Sequence, residues 1–135
     1  MIVVNQGSPR GLQPAVNEKN ILIVEDDQVI QNLIELRLKN MGYFVCAKVS
    51  SGEEALKQVK KMRPDVVLMD IGLKGEIDGI ETARLIKRDF KTPVIFLTGS
   101  ADDETLSKVW FVRPDGFIHK PFKDIDLRIA IELVQ

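Results

Sequence analysis

Five short apolar runs punctuate the chain, each followed by a segment whose apolar residues recur at helical spacing. ILIVE (Ile21 to Glu25) is the first strand-sized run. Ile30, Leu33, Ile34, Leu38 and Met41 then fall on one helical stripe that Gly42 closes. YFVCAKV predicts a second strand, and Ser51 with Glu54 forms a capping-box pattern opening a helix with Ala55, Leu56, Val59 and Met62 on its stripe. VVLMD is the third strand. A helix follows from about Asp78 with Ile80, Ala83 and Ile86 inward. Pro93 precedes the fourth strand, VIFLT, and the next helix begins near Asp102 or Asp103. GFIHK is the fifth strand, after which Asp124 is the expected N-cap of a last helix carrying Ile125, Ile129 and Leu133 on one side.

Strands one, three and four are continuously apolar rather than alternating. Such strands are covered on both faces, as helices cover a parallel sheet. Alternating strand and helix units with short connections predict an α/β fold, a doubly wound (βα)5 sandwich. Residues 1–19, with VNQGSPRGLQP and no sustained period, are expected to form a loose leader or the remnant of a linker, leaving 20–135 as the domain.

Composition narrows the picture without adding to it. A chain of 135 residues, 44% hydrophobic and 29% charged, suits one soluble globular domain. A formal net charge of -1 gives no global pull toward nucleic acid or an anionic membrane, so neither is an expected partner of this chain. The longest apolar runs are far below the ~20 residues of a membrane helix, and Met1 to Asn20 has no basic-then-apolar signal pattern. The single cysteine, Cys46, excludes an internal disulfide. A cytoplasmic location is the expectation. The pattern closes with the last helix, so no DNA-binding or catalytic output domain is expected here.

Chemistry enters at the strand ends. In open parallel sheets, function gathers in the crevice beyond the carboxyl ends of the strands. The first strand ends in Glu25, Asp26 and Asp27, the third in Asp70, the fourth in Thr98 and the fifth in Lys120. The strand order 2-1-3-4-5, usual for five-unit sheets of this kind, places these four ends side by side. Two carboxylates about 4 Å apart repel by about 4 kcal/mol at an effective dielectric near 20. Protons or a cation must relieve Glu25, Asp26 and Asp70. Hard oxygen ligands with no histidine or cysteine nearby point to Mg²⁺ (or Mn²⁺). Metal, the Lys120 ammonium and the Thr98 hydroxyl together suffice to neutralise a phosphoryl group while Asp70 attacks phosphorus.

The combination of VEDD, MD after an apolar strand, LTGSAD and HKPF resembles the receiver domains of two-component response regulators, over about Asn20 to Gln135. None of the four elements is specific alone; four in order at the right strand ends are. The resemblance implies a flavodoxin-like fold and a phosphorylation switch fed by a histidine kinase or a histidine phosphotransfer protein. It implies Asp26 as a direct Mg²⁺ ligand, Glu25 as one acting through water, and Asp70 as the phosphoacceptor. The backbone carbonyl of Gly72 becomes the third protein ligand. Thr98 becomes the switch hydroxyl, Lys120 the family's lysine, Phe117 the aromatic rotamer switch, and Lys120–Pro121 a cis peptide. The face of the fourth helix, fifth strand and fifth helix is then the output surface for a downstream target or a homodimer. Two features depart from the family pattern. The loop IGLKGEIDG is one residue longer than usual and lacks its proline, a version that resembles receivers accompanying multi-domain sensory histidine kinases. Phe117 stands where many members have tyrosine.

Plainer roles compete at several positions. Asp27 is expected only to cap a helix, where acids suit the positive end. His119 should point away from the side of Lys120 and act as a surface residue. Cys46 is a small core residue. Val109, Trp110, Phe111 and Val112 cannot all face a core, so Trp110 or Phe111 is expected to serve a partner surface. Three rival functions make different demands on the same positions. A haloacid-dehalogenase-type phosphatase needs a second Asp two residues after the nucleophile, where this chain has Gly72. A flavodoxin-like redox carrier needs a phosphate loop where this chain has three acids. A receiver-like module that works without phosphorylation would not need the intact acid set.

Overall fold

The computed structural model describes residues 19–134 apart from 74, 100 and 101; the expected leader lies, up to residue 18, outside the described residues. Strands β1 (Asn20–Val24), β2 (Phe44–Val49), β3 (Val66–Asp70), β4 (Val94–Thr98) and β5 (Gly116–His119) form one parallel sheet in the order β2-β1-β3-β4-β5. Helices α1 (Gln28–Asn40), α2 (Gly52–Met62), α3 (Gly79–Phe90), α4 (Asp103–Val112) and α5 (Asp124–Leu133) alternate with them. This is the doubly wound architecture that the pattern predicts, flavodoxin-like as the resemblance implies.

Strand alternation feeds two cores. Ile21, Ile23, Val66, Leu68, Ile95 and Leu97 pack under α1 and α5 with Ile34, Leu38, Leu127 and Ile131. Leu22, Val24, Val67, Met69, Val94 and Phe96 pack under α2, α3 and α4 with Val59, Ile86 and Val109. Every residue of β3 and β4 is buried, which explains their unbroken apolar runs. The edge strand β2 is half-exposed, and its register against β1 slips between Ile21 and Leu22, leaving half-buried Cys46 as the extra residue.

The helix phases depart from expectation at both ends of the chain. On α1 the buried positions are Gln31, Ile34 and Leu38, while Leu33 is exposed with Val29 and Leu36. On α5, Leu127 and Ile131 are inward, and the expected stripe Ile125, Ile129, Leu133 faces out. Both helices carry two apolar stripes, and sequence periodicity alone does not say which one meets the sheet. Asp124 is also not the N-cap of α5. Lys123 occupies that position, its N–H donating to the Asp126 carboxylate at 2.9 Å, because the Asp124 carboxylate is taken by Arg37 of α1 at 2.6 Å. Among the described residues no helix is long and apolar enough to cross a membrane.

Candidate functional site

The carboxyl ends of β1, β3, β4 and β5 converge as adjacent strands. Glu25 follows β1 directly, with its backbone N–H bonded to the Val49 carbonyl at 3.0 Å. It is buried, at 2% exposure, and its side chain accepts from the Asp27 N–H at 3.1 Å. Asp27 caps α1, as expected, accepting from the N–H groups of Val29 and Ile30. Asp26, between them, is exposed and faces the same cluster: carboxylate oxygens of Glu25, Asp26 and Asp70 lie within 4.8 Å of one another.

Asp70 ends β3 and is 9% exposed. Its Oδ1 accepts from the Gly72 N–H at 3.0 Å, a short turn that starts the β3–α3 loop and holds the carboxylate at the rim. A β-carbon on Gly72 would stand 3.7 Å from that oxygen, an ordinary contact. Farther along, the Ile77 N–H donates to Glu53 of α2 at 3.3 Å, pinning the β3–α3 loop. A cleft of 790 Å³ leads to Asp70 past Gly72, Asp78, Thr98, Asp102 and Lys108.

Thr98 ends β4 and is buried. Its carbonyl accepts from the Lys120 N–H at 2.7 Å, tying the two strand ends together. The Lys120 ammonium donates to Glu25 Oε1 at 3.1 Å and lies 3.8 Å from Asp70 Oδ1. Burial drives the Glu25 carboxyl above its usual range, and the negative charge of Asp70 pushes the same way; the Asp27 N–H and Lys120 oppose both. Three clustered carboxylates face one ammonium, and every donor in the cluster is a hard oxygen. That donor set fits a divalent cation of the Mg²⁺ type.

The structure thus brings Glu25, Asp26, Asp70, Thr98 and Lys120 to one edge. Phe117 lies elsewhere, in a groove of 740 Å³ between α4 and β5 with Leu106, Val109, Trp110, Arg113 and Pro114. Its ring meets His119 edge-on at 6.0 Å, and His119 is exposed. Trp110 and Phe111 are 79% and 86% exposed. The Lys120–Pro121 peptide is cis.

One contributor escapes sequence inspection. Gln31, buried on α1, donates through Nε2 to the carbonyls of Glu25 at 3.1 Å and Val49 at 3.0 Å. It locks the acidic turn against α1 and β2. The available signal is its phase: positions 31, 34 and 38 share one helical stripe.

Residues 21–132 match the family model of the response regulator receiver domain. The chain is 37% identical over 116 residues to the transcriptional regulatory protein AfsQ1 of Streptomyces coelicolor, covering 84% of this chain and 51% of that protein. It is 33% identical over 109 residues to the DNA-binding response regulator MtrA of Mycobacterium tuberculosis, covering 81% and 47% respectively. The chain spans about half the length of these curated relatives. Among solved structures, the signal receiver domain of a modulated diguanylate cyclase from Desulfovibrio desulfuricans G20 superposes with a TM-score of 0.83 at 36% identity, covering 87% of this chain and 93% of that one.

Proposed function

Because the chain belongs to the response regulator receiver family, we propose that it is a phosphorylation switch whose acceptor is Asp70. The supporting observation is the cluster itself: three carboxylates within 4.8 Å, with the Lys120 ammonium 3.8 Å from Asp70. Asp26, Asp70 and the Gly72 carbonyl would hold Mg²⁺ or Mn²⁺ directly, and Glu25 through water. The ion, when bound, offsets the charge of the crowded acids and of the incoming phosphoryl oxygens.

This chain's own groups do the rest. A histidine kinase or histidine phosphotransfer protein presents phosphohistidine at the cleft. An Asp70 oxygen bonds to phosphorus as the phosphorus–nitrogen bond breaks, the electron pair staying on the imidazole nitrogen. Lys120 and the Thr98 hydroxyl take phosphoryl oxygens. As Thr98 moves toward them, Phe117 turns in from the α4–β5 groove, altering the α4, β5 and α5 face. Carrying such a switch from about 1% to 99% active requires roughly 5.5 kcal/mol of differential binding. The exposed Trp110 and Phe111 flank that face and suit a downstream target or a second copy. In this role the chain is a signalling module, taking part in its own phosphorylation and hydrolysis, in the cytoplasm. DNA binding is named for relatives about twice its length, so the exclusion of nucleic acid drawn from net charge gains no support from them.

The test is incubation with acetyl phosphate and Mg²⁺ followed by intact mass measurement. The wild type should gain one phosphoryl group and Asp70→Asn none. A gain that persists in Asp70→Asn moves the acceptor elsewhere. No gain in the wild type, with either metal, leaves a receiver that works by binding alone.

A further inference from the structure

Lys120 lies one residue beyond β5, and its N–H bond to the Thr98 carbonyl is the last contact that ties the chain to the sheet before the turn. The chain beyond must turn from the sheet into α5, and the side chain that grips this turn comes from α1. Arg37 donates from Nη2 to the Phe122 carbonyl at 2.8 Å and from Nε to Asp124 Oδ1 at 2.6 Å. Its guanidinium carbon stands 4.6 Å from the centre of the Phe122 ring. Each contact alone is modest, since the ion pair is partly exposed and such pairs contribute little. Together they use the planar fork and the stacking face of one guanidinium, which fixes orientation as a lysine cannot.

The same helix also holds Glu25, through the Gln31 contact to its carbonyl. One rigid element therefore touches both the acidic turn and the chain just beyond Lys120, adding to the sheet bonds that hold their backbones. We propose that Arg37 is a positioning residue: by clamping the Phe122–Asp124 turn onto α1, it holds Lys120 Nζ at Glu25 and Asp70. Its consequence for phosphoryl transfer rests on Asp70 being the acceptor; its effect on Lys120 does not.

The test uses the full chain with Arg37→Met, which keeps the aliphatic stem, and Arg37→Lys, which keeps the charge. Trace acetylation with acetic anhydride, mapped by peptide mass, reads the accessibility of each lysine. Arg37→Met should raise labelling of Lys120 about 5-fold, as expected when a local restraint of ordinary strength is lost. Lys87, paired with Asp115 away from α1, should not change. Arg37→Lys should fall between Arg37→Met and the wild type. Unchanged Lys120 labelling in both variants overturns the proposal, and so does a rise shared equally by Lys87.

The second readout is the rate of phosphorylation by acetyl phosphate in a double-mutant cycle. Arg37→Met should slow the reaction about 5-fold when Lys120 is present and less than about 2-fold in a Lys120→Met background. Equal losses in both backgrounds mean that Arg37 does not act through Lys120. A wild type that takes no phosphoryl group refutes the acceptor assignment alone, and the labelling result still decides the role of Arg37.

Discussion

Replacing Lys120 by methionine removes the ammonium but keeps most of the stem. Glu25 then loses a partner at 3.1 Å and Asp70 one at 3.8 Å. At an effective dielectric near 20, those attractions amount to about 5 and about 4 kcal/mol before desolvation is counted. Most of that is offset by the cost of taking the charges out of water, and breaking a fully buried pair costs about 3–5 kcal/mol. Here the lysine side chain keeps 23% of its surface in solvent while Glu25 keeps 2%. The net penalty should therefore be smaller, about 2–3 kcal/mol at pH 7.5 without divalent metal. Urea unfolding in EDTA measures it.

Two controls follow from the same charges. Mg²⁺ stabilises whichever protein binds it, by about 2.7 kcal/mol at a hundred times its dissociation constant. It should recover more stability in Lys120→Met, where no ammonium repels it, than in the wild type. Acid should shrink the penalty too. The Glu25 carboxyl is raised by burial, so in the fold it takes up its proton as pH falls through that raised value. Its stabilising contribution is whole only below the ordinary glutamate value of about 4.3 and is lost as pH rises through the folded one. Equal stability of variant and wild type in EDTA, with equal gains from Mg²⁺, would refute the claim that Lys120 balances the acids.

Other substitutions probe the scaffold. Gln31→Leu removes two buried donations, to Glu25 and Val49 carbonyls, and should cost about 2 kcal/mol in urea unfolding. Gly52→Ala would place a β-carbon 2.1 Å from Thr82 Oγ1 and 2.9 Å from Ile77 Cγ1, forcing α2 away from α3 and its loop. A loss of about 1–3 kcal/mol is expected in thermal melting, and none would mean the helices yield freely. Tyr43→Phe tests a proton held by the fold, since burial, followed by the bond to Glu132, pushes the phenol well above its usual range. That contribution is whole below about pH 10 and is lost as pH rises through the folded value. The stability gap between wild type and Tyr43→Phe, from urea midpoints at about pH 8 and 11, should therefore narrow with alkali; a constant gap refutes the coupling.

What could be read from the residues depended on how local their cause was. VVLMD and VIFLT are wholly apolar because both faces of β3 and β4 are covered, so their runs announce central strands. Asp27 and Ser51 cap helices through bonds within three residues, and such short-range geometry is written in the sequence. The acids and the lysine were legible because parallel strands deliver their last residues to one edge.

Periodicity proved insufficient where a helix has two apolar stripes. Leu33 on α1 and Ile129 on α5 satisfy a core pattern yet face outward. Packing against the sheet chose Ile34 with Leu38, and Leu127 with Ile131. Long-range polar contacts were equally hidden. Asp124 follows every rule for a helix cap, but Arg37, 87 residues earlier, claims its carboxylate. Gln31 has the phase of a core residue and the chemistry of a surface one; only the carbonyls of Glu25 and Val49 reconcile the two.

By itself, then, the sequence determined the alternation of elements, the central strands and the side chains that reach the reactive edge, because these follow from periods and from neighbours a few positions away. The tertiary structure decided which helix faces turn inward and what holds Glu25 and Lys120 in place. Those outcomes depend on partners distant in the chain, and no local pattern encodes the contact between them.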